Sequence, residues 1–277
     1  MKKNLKYYLK NKLTNKELEL VPSSFDVVGD ILIFSDFPKE LAKKEKLIGT
    51  TILEKYHHIK TILKKTKKYS GRFRTPKLKV ITGEKRKETI CRENNVLIKM
   101  DVEKVYFSPR MSSERKRIDS LIKPNELVLV MFSGSGVYPL VIAKNTKCKE
   151  VYGVEVNPVA HKYALENVKK NKLENKIRLF LGDVRKIMPR LNKKFDRILM
   201  PLPKGGEDFL DLALKYIKKN GFMHFYDFLH EDEFYKAEEK AKGACNKAKK
   251  KYKILKLVKC GQYSPRFYRV CLDFVVD

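Results

Sequence analysis

Residues 127–136 read Leu-Val-Leu-Val-Met-Phe-Ser-Gly-Ser-Gly, an apolar run of strand length that ends at a pair of glycines. Residues 151–158 read Val-Tyr-Gly-Val-Glu-Val-Asn-Pro, a second apolar run that ends at a carboxylate. Glycines let the backbone approach a ligand closely, and an acid at the end of the next strand can bond ribose hydroxyls. The two runs predict the first strands of a doubly wound sheet that binds a nucleotide-like cofactor.

The residues after the glycines help to separate two classes of cofactor. The dinucleotide fingerprint is G-x-G-x-x-G, but Gly134 and Gly136 are followed by residues 137–139 without a third glycine. An acid 19 residues after Gly136, Glu155, fits S-adenosylmethionine at least as well. A plain tight turn between a strand and a helix is the alternative interpretation.

The charge of the chain indicates a polyanionic partner. Its 277 residues include 62 Lys and Arg against 33 Asp and Glu, which gives a formal net charge of +29. Such a field attracts nucleic acids. Adaptation to heat or a Lys-rich proteome is the alternative, but heat raises Glu together with Lys, and Glu does not rise here. A methyltransferase for small molecules or proteins would need no such charge.

Composition also bears on location and metal binding. An apolar content of 43% supports a real core. The sequence has no run of 18 apolar residues and no signal-peptide core in residues 1–10, so we expect no membrane span and no secretion. Five widely spaced cysteines without a C-x-x-C pair suggest no zinc site and no disulfide framework. We therefore expect a cytoplasmic, metal-free monomer.

Hydrophobic periodicity divides the chain into three parts. Residues 1–20 form a short segment with one or two helices, residues 21–105 a small α+β domain that faces RNA, and residues 106–277 the cofactor domain. In the α+β part we expect strands at 27–34, 78–81 and 96–100 and helices at 38–47 and 52–65. Ser112 or Ser113 can cap a further helix that ends at Leu121.

The cofactor domain is predicted to be an α/β fold of the class I methyltransferase type. Strands at 128–132, 150–155, 177–181, 197–200 and 222–226 alternate with helices, which is typical of a mostly parallel, Rossmann-like sheet. Two closing strands, 253–258 and 268–275, are predicted to be joined by a long loop and to form an antiparallel C-terminal edge. Residues 236–251 are expected to form a solvated helix.

Several residues at strand ends have two interpretations. Asp183 follows the third strand and can bond the adenine amino group or cap the next helix. Pro201 and Pro203 follow the fourth strand and can face a nucleobase or simply end the strand. Glu114 lies among arginines and can be an ion-pair partner or a general base.

Three clusters mix arginines with aromatic residues, a composition suited to phosphates and stacked bases. They lie at residues 70–76, 106–115 and 263–268. With the blocks at 25–30, 131–136, 182–185 and 200–203, these clusters make the chain resemble the archaeal and eukaryotic tRNA (guanine-37, N1)-methyltransferases from about Phe25 onward. The block Phe-Ser-Pro-Arg followed by Glu-Arg is far more specific than the glycine loop.

The resemblance implies roles for particular residues. Glu114 corresponds to the general base that takes the proton from guanine N1, and Arg74 to the arginine that steadies guanine O6. The residues implied for S-adenosylmethionine are Phe132, Gly134, Gly136, Glu155, Asn157, Asp183 and Pro201. Those implied for tRNA are Arg72, Tyr106, Ser108, Pro109, Arg110, Arg115, Pro203, Tyr263, Pro265 and Arg266.

The chain departs from the family pattern in three places. Val130 stands where an acid is usual, Pro201-Leu-Pro203 replaces Asn-Leu-Pro, and most of the usual first domain is missing. These features resemble the archaeal wyosine branch, in which some members also methylate C7 of 4-demethylwyosine. A related class transfers an aminocarboxypropyl group, which the Pro-Leu-Pro block argues against. A non-catalytic tRNA-binding module with this fold is the remaining alternative.

Overall fold

A computed structural model of the chain describes residues 4–277, apart from the side chains of residues 68–70. The chain forms two compact units, one of residues up to 92 with 98–109, and one of residues 93–97 with 110–277. The predicted segment 1–20 begins at residues 1–3, which lie outside the described residues. The domain limits at residues 20 and 105 remain predictions. No helix within residues 4–277 has both the length and the apolar character to cross a bilayer.

The first unit is built on a four-stranded sheet in the order β1-β2-β3-β4. Its elements are α1 Leu5–Leu9, α2 Asn15–Leu20, β1 Asp26–Val28, β2 Ile31–Phe34, a 3-10 helix Lys39–Lys44, α3 Glu45–Lys55, β3 Thr61–Ser70 and β4 Thr75–Gly83. A capping box of Thr14 and Glu17 begins α2. Apolar side chains from the helices and from β2 and β3, including Phe34, Leu41 and Ile62, form its core.

Two predictions for this unit are wrong. The predicted strand 27–34 breaks at Gly29, where φ is +58° and a Cβ would lie 2.5 Å from the carbonyl oxygen of Ile90. The predicted helix 52–65 ends at Lys55, and β3 begins at Thr61. Ile62 lies in β3, which pairs in parallel with β2, so the burial of its side chain in a sheet overrides the helical pattern.

A hairpin follows, with β5 Glu88–Glu93 and β6 Val96–Asp101. Asn94 and Asn95 both have positive φ, as a tight hairpin turn with the sheet's twist requires. The sequence prediction found β6 but missed β5, whose polar and charged residues hide the strand. The tip of this hairpin, residues 93–97, groups with the second unit.

The second unit has a seven-stranded sheet in the order β12-β13-β11-β10-β7-β8-β9. Its elements are a 3-10 turn Pro109–Met111, α4 Ser112–Leu121, β7 Leu127–Met131, α5 Val137–Asn145, β8 Glu150–Glu155, α6 Pro158–Lys170, β9 Ile177–Leu181, α7 Val184–Leu191, β10 Phe195–Met200, a 3-10 turn Glu207–Phe209, α8 Leu210–Tyr216, β11 Ile217–His230, a 3-10 turn Glu231–Glu233, α9 Tyr235–Lys247, β12 Tyr252–Ser264 and β13 Phe267–Val276. The predicted class I methyltransferase architecture is confirmed.

The strands that are central to this sheet are buried on both faces. Val128, Leu129, Val130 and Met131 of β7 are fully enclosed, because helices cover both sides of a parallel sheet. Val130 therefore has the apolar residue type that its position in the core favours.

The closing strands are antiparallel, as predicted, but the predicted long loop between them is wrong. β13 lies between β11 and β12, and only Pro265 and Arg266 separate β12 from β13. The sequence analysis gave no limits for α7, although it named Asp183 as a possible cap of a helix there. The predicted serine cap of α4 is wrong too, because Met111 occupies the cap position without a side-chain hydrogen bond.

Candidate functional site

The loop after β7 is held in conformations that favour glycine. Gly134 and Gly136 have φ of +57° and +82°, and a Cβ on Gly136 would lie 3.2 Å from the Cβ of Ala164 in α6. Phe132, which precedes them, also has a positive φ of +60°. A bulky residue in this region is strained, and such strain concentrates at ligand sites.

Glu155, at the end of β8, ties this loop to the next one. One carboxylate oxygen accepts from the backbone N–H of Gly134 at 2.7 Å, and the other accepts from that of Asn157 at 2.7 Å. Burial raises the pKa of Glu155 even though these hydrogen bonds oppose the shift. The backbone N–H of Val156 is a third partner, and because a carboxylate has about four acceptor positions, Glu155 can still accept from a ribose hydroxyl.

Two buried hydroxyls of the same loop provide a test of whether a polar ligand fits here. The Oγ atoms of Ser133 and Ser135 are enclosed and have no hydrogen-bond partner within residues 4–277. Buried polar atoms in native proteins are almost always paired. The unsatisfied hydroxyls flank Gly134, whose N–H donates to Glu155, so the loop has room in its hydrogen bonding for the polar groups of a nucleoside or an amino acid.

Asp183 and Pro201 lie at the ends of the next strands on the same edge of the sheet. Asp183 caps α7, since its side chain accepts from the N–H of Arg185 at 2.9 Å, so the capping interpretation is confirmed. The ring of Phe132 meets that of Phe209 edge-on at 4.9 Å, and the Arg185 guanidinium lies 3.9 Å from the centre of the Phe209 ring. Sequence reasoning missed Phe209, which lies outside every motif, and included Arg185 only as part of the block 182–185, without a role.

The loop Pro201–Pro203 is fixed by backbone contacts. The carbonyl of Pro203 accepts from the N–H of Phe228 in β11 at 3.1 Å. At Gly206 a Cβ would lie 2.3 Å from the carbonyl oxygen of Leu202, so the chain can turn back only with a glycine there. The loop is thus pinned beside the carboxyl end of β11.

Glu114 lies in the first turn of α4 and is only 4% exposed. The Arg117 guanidinium donates to both of its oxygens, at 2.7 and 2.8 Å, and the Tyr226 hydroxyl donates to Oε1 at 2.6 Å. The ion-pair interpretation of Glu114 is confirmed. The same contacts fix the orientation of its carboxylate.

This ion pair begins a buried network of side chains. Asp273 accepts from Arg117 at 2.6 Å and lies 2.6 Å from Nδ1 of His224. Burial alone would raise the pKa of Asp273, but the hydrogen bonds from His224 and Arg117 hold it well below its usual range. The network continues through Arg197.

Arg197 connects His224 to Glu126. It is 1% exposed, contacts Nε2 of His224 at 2.7 Å, and donates to both oxygens of Glu126 at 2.7 and 2.9 Å. Because a guanidinium can only donate, Nε2 of His224 is the acceptor of the hydrogen bond from Arg197. The ring proton is therefore on Nδ1, which donates a hydrogen bond to Asp273. Burial lowers the pKa of His224, which agrees with a neutral ring.

His224, Cys271 and Asp273 also have the donor atoms of a metal site, all within 4.8 Å of one another. Arg197 and Asp273 take the two ring nitrogens of His224, however, and Arg117 pairs with Asp273. A cation would have to displace two guanidinium groups, so the contacts favour the hydrogen-bonded network.

The remaining predicted RNA-binding residues of the second unit differ in exposure. Tyr263 is 66% exposed and Pro265 is exposed. Arg110 is exposed as well, and Arg266 pairs with acids of the turn that follows β11. Arg115 is 4% exposed and donates to both oxygens of Glu93 at 2.5 Å, so its prediction as an RNA contact does not fit this position.

Predicted residues of the first unit occupy two segments. Arg72 and Arg74 lie in the turn between β3 and β4, where the Arg74 N–H donates to the carbonyl of Gly71 at 3.2 Å. Tyr106, Ser108 and Pro109 follow β6. Arg74 has a φ of +50°, so its turn conformation carries strain of the kind often found at functional positions.

Two protein-family models together match almost the whole chain. A model described as the TRM5/TYW2 methyltransferase domain matches residues 89–255, and one described as the TYW2 N-terminal domain matches residues 5–86. These two models agree with the order of the α+β and Rossmann-like parts.

Three relatives have names that state different activities. The chain is 39% identical to Pyrococcus abyssi tRNA (guanine(37)-N(1))-methyltransferase Trm5b, over 93% of this chain and 76% of the relative. It is 35% identical to Nanoarchaeum equitans tRNA (guanine(37)-N(1))/4-demethylwyosine(37)-methyltransferase Taw22, over 79% and 87%. It is 34% identical to a Methanocaldococcus jannaschii tRNA(Phe) (4-demethylwyosine(37)-C(7)) aminocarboxypropyltransferase, over 90% and 96%.

A solved structure described as the complex of aTrm5 and tRNALeu has the same fold. It superposes with a TM-score of 0.86 and 31% sequence identity, covering all of this chain and 79% of that one.

Proposed function

The chain belongs to the TRM5/TYW2 methyltransferase family, and we propose that it transfers a methyl group from S-adenosylmethionine to N1 of guanine 37 in tRNA. The observation that carries the proposal is 39% identity along 93% of the chain to a relative with that activity. The buried Glu114 carboxylate, in the same unit as the glycine loop, provides a group suited to the chemistry.

The glycine loop and its neighbours are the proposed cofactor site. When bound, S-adenosylmethionine supplies a methyl group that a positively charged sulfur has already activated. Glu155 is proposed to accept from ribose hydroxyls, and Asp183 to meet the adenine edge. Phe132, Asn157 and Pro201 are proposed to line the same site. The partnerless hydroxyls of Ser133 and Ser135 provide further polar groups for the ligand.

Glu114 is the proposed general base. Guanine N1 carries a proton at neutral pH and becomes nucleophilic only as that proton leaves. The proton would pass to a Glu114 oxygen, and the N1 electron pair would form the new bond to the methyl carbon. The bond between that carbon and the cofactor sulfur would break and leave its electron pair on sulfur, as a neutral thioether. Arg117 and Tyr226 fix the direction of the carboxylate in advance.

Arg74 is the proposed stabiliser of the guanine oxygen. Negative charge moves toward O6 when N1 loses its proton, and a guanidinium donor there lowers the barrier. Arg72, Tyr106, Ser108, Pro109 and Arg110 are proposed to hold the anticodon arm, together with Pro203, Tyr263, Pro265 and Arg266. The net charge of +29 supports a phosphate-rich partner, so we expect tRNA affinity to fall steeply with salt.

A second activity, methylation of C7 of 4-demethylwyosine, is part of the proposal. It is supported by the similarity to the Nanoarchaeum equitans relative, whose name includes both substrates. The similarity to an aminocarboxypropyltransferase supports a competing candidate that uses the same cofactor and the same modified base.

One assay tests these activities together. Purified chain and S-adenosylmethionine are incubated with a tRNA transcript carrying guanine 37, with the adenine 37 transcript, and with tRNA carrying 4-demethylwyosine. Mass spectrometry of the nucleosides separates an added methyl from an added aminocarboxypropyl group. We expect methylation of the guanine 37 transcript and none of the adenine 37 transcript. Equal modification of both would contradict the site assignment, and modification of neither would favour a binding module without this activity.

A further inference from the structure

One face of the second unit's sheet carries aligned residues from β11 and β13. Tyr226 pairs with Cys271, and Phe228 pairs with Arg269 across the two strands. Residues two apart in a strand point to the same face, about 6.8 Å further along. Phe228 therefore follows Tyr226 on the face where the Tyr226 hydroxyl bonds Glu114.

An aromatic pair and a cation occupy this next position. The rings of Phe228 and Tyr263 lie 4.5 Å apart between centroids, with a tilt of 39°. The guanidinium of Arg269 lies 5.0 Å from the Phe228 ring centre. Tyr263 is 66% exposed, so much of its ring is open to solvent. A rigid aromatic surface with a neighbouring guanidinium is suited to an unpaired nucleobase, since every base can stack on it.

The sheet topology places this surface at the edge that carries the proposed cofactor loop. β11 runs parallel to β10 and β7, and β12 runs antiparallel to β13, so the end of β12 lies at the same edge as the ends of those strands. The N–H of Phe228 itself donates to the carbonyl of Pro203. The aromatic pair thus adjoins the loop after β10 and lies one position along the same face from Tyr226, which bonds Glu114.

We propose that Tyr263, backed by Phe228 and Arg269, is a stacking platform for the unpaired purine that is methylated, with the N1 edge of that purine turned toward Glu114. The proposal rests on the proposed tRNA methyltransferase function and specifies how the substrate base is positioned. It assigns roles to Phe228 and Arg269, which no sequence motif indicated, and gives the exposure of Tyr263 a chemical reason. A tyrosine that only covered the hairpin would have no need of a cation beside its partner ring.

The experiment uses full-length tRNA transcripts with 2-aminopurine at position 37 or at position 38, because stacking quenches the fluorescence of this purine. The variants are Tyr263→Ala, Tyr263→Phe and Phe228→Leu. The matched control is Tyr235→Ala, which removes another tyrosine, 55% exposed, from α9. Thermal melting of each variant checks folding, and methyl transfer to the unmodified guanine 37 transcript provides kcat and KM.

We expect binding to quench 2-aminopurine at position 37, and Tyr263→Ala to relieve that quenching. The same variant should lower kcat/KM by roughly tenfold or more, as expected for loss of one stacked base. Tyr263→Phe should keep both readouts near the parent protein, Phe228→Leu should give an intermediate loss, and Tyr235→Ala should change neither. Overall tRNA affinity should fall by no more than the same factor, because the phosphate contacts that dominate it are unchanged.

Three results would overturn the platform. One is an unchanged kcat/KM in Tyr263→Ala, another is an equal loss in Tyr263→Phe, and the third is a fluorescence change confined to position 38. If the parent protein methylates no tRNA and Glu114→Gln has nothing to abolish, the proposed function has failed instead. The two failures are therefore distinguishable.

Discussion

The glycine loop and the Glu114 network lie in the same unit but are built in different ways. At the loop, Glu155 joins backbone groups that are 21 and 2 residues away. In the network, Tyr226 and Glu114 are 112 residues apart, and Arg117 and Asp273 are 156 apart. One region leaves buried hydroxyls unpaired, whereas the other satisfies nearly every charge with another side chain. The contrast indicates that the glycine loop can form further hydrogen bonds with a ligand, whereas the network fixes the position of the Glu114 carboxylate.

The largest expected effect concerns the end of the network. Glu114→Gln should lower the rate of methyl transfer by roughly 100- to 10,000-fold, the usual contribution of a general base. Binding of S-adenosylmethionine, measured by calorimetry, should be nearly unchanged, because Glu114 contacts none of the loop residues that we assign to the cofactor. Glu238→Gln, at an exposed site on α9, is the control. Normal turnover in Glu114→Gln would reduce the network to a structural role.

The next prediction tests whether the buried ion pairs of Arg117 stabilise the fold. Arg117→Met leaves the carboxylates of Glu114 and Asp273 without their shared cation in a buried site. Removal of one partner of a buried ion pair costs about 3–5 kcal/mol. Urea unfolding should show this loss. A change below about 1 kcal/mol would mean that the charges are solvated, as surface pairs are.

Acid should weaken the same region. The pKa of Asp273 is lower in the folded protein than in the unfolded chain, so protonation favours the unfolded state. Its contribution to stability is complete above the unfolded pKa, near 4, and is lost as the pH falls from there toward the lower folded pKa. Asp273→Asn should flatten the pH dependence of the unfolding free energy below about pH 4. An unchanged slope would show that other carboxylates account for acid unfolding.

The loop is expected to respond in ligand affinity more than in stability. Glu155→Gln removes the charge that is proposed to meet ribose hydroxyls, and a hydrogen bond to a charged group contributes about 1.5–3 kcal/mol. Affinity for S-adenosylmethionine should fall roughly 10- to 150-fold in calorimetry. Because the glutamine amide replaces one acceptor, the Gly134 or the Asn157 contact also weakens. Unchanged affinity would exclude Glu155 from the cofactor site.

The smallest effect is the most specific for the unpaired hydroxyls. Ser135→Ala removes a buried oxygen without a partner, so it should leave the melting temperature of the ligand-free protein equal or slightly higher. If the cofactor pairs with this hydroxyl, affinity should fall by about 0.5–1.5 kcal/mol. An equal or higher melting temperature together with a lower affinity would support a hydrogen bond between the cofactor and Ser135. A lower melting temperature with normal affinity would contradict it.

Sequence reasoning found the elements whose patterns are local. The limits of β8 and β9 agree with the prediction to the residue, because each is a continuous apolar run between clear stop signals. It failed for β3 and β5, whose charged residues hide strands that sheet pairing stabilises. For the closing hairpin it predicted both strands and their antiparallel pairing but not the short connection between them, because the exposed end of β12 lacks an apolar pattern.

The candidate site divides in the same way. Gly134, Gly136 and Glu155 were predictable, because their function depends on backbone geometry and on the order of neighbouring strands. Phe209 and Phe228 were not, since a lone aromatic residue has no distinctive spacing, and Arg185 was included only as part of the block 182–185, without a role. Arg115 was assigned to RNA from its position in a basic cluster, and only its contact with Glu93 shows that it is buried.

The sequence by itself determined the class of sheet, the cofactor loop and the basic character of the chain, because these follow from short-range periodicity, glycine positions and composition. Only the tertiary structure decided which cation pairs with Glu114, which tautomer His224 adopts and which ring packs against Tyr263. Charged and aromatic side chains can pair with any complementary group that the fold brings near. The partner is therefore chosen by the packing of α4, β11, β12 and β13, which no local pattern records.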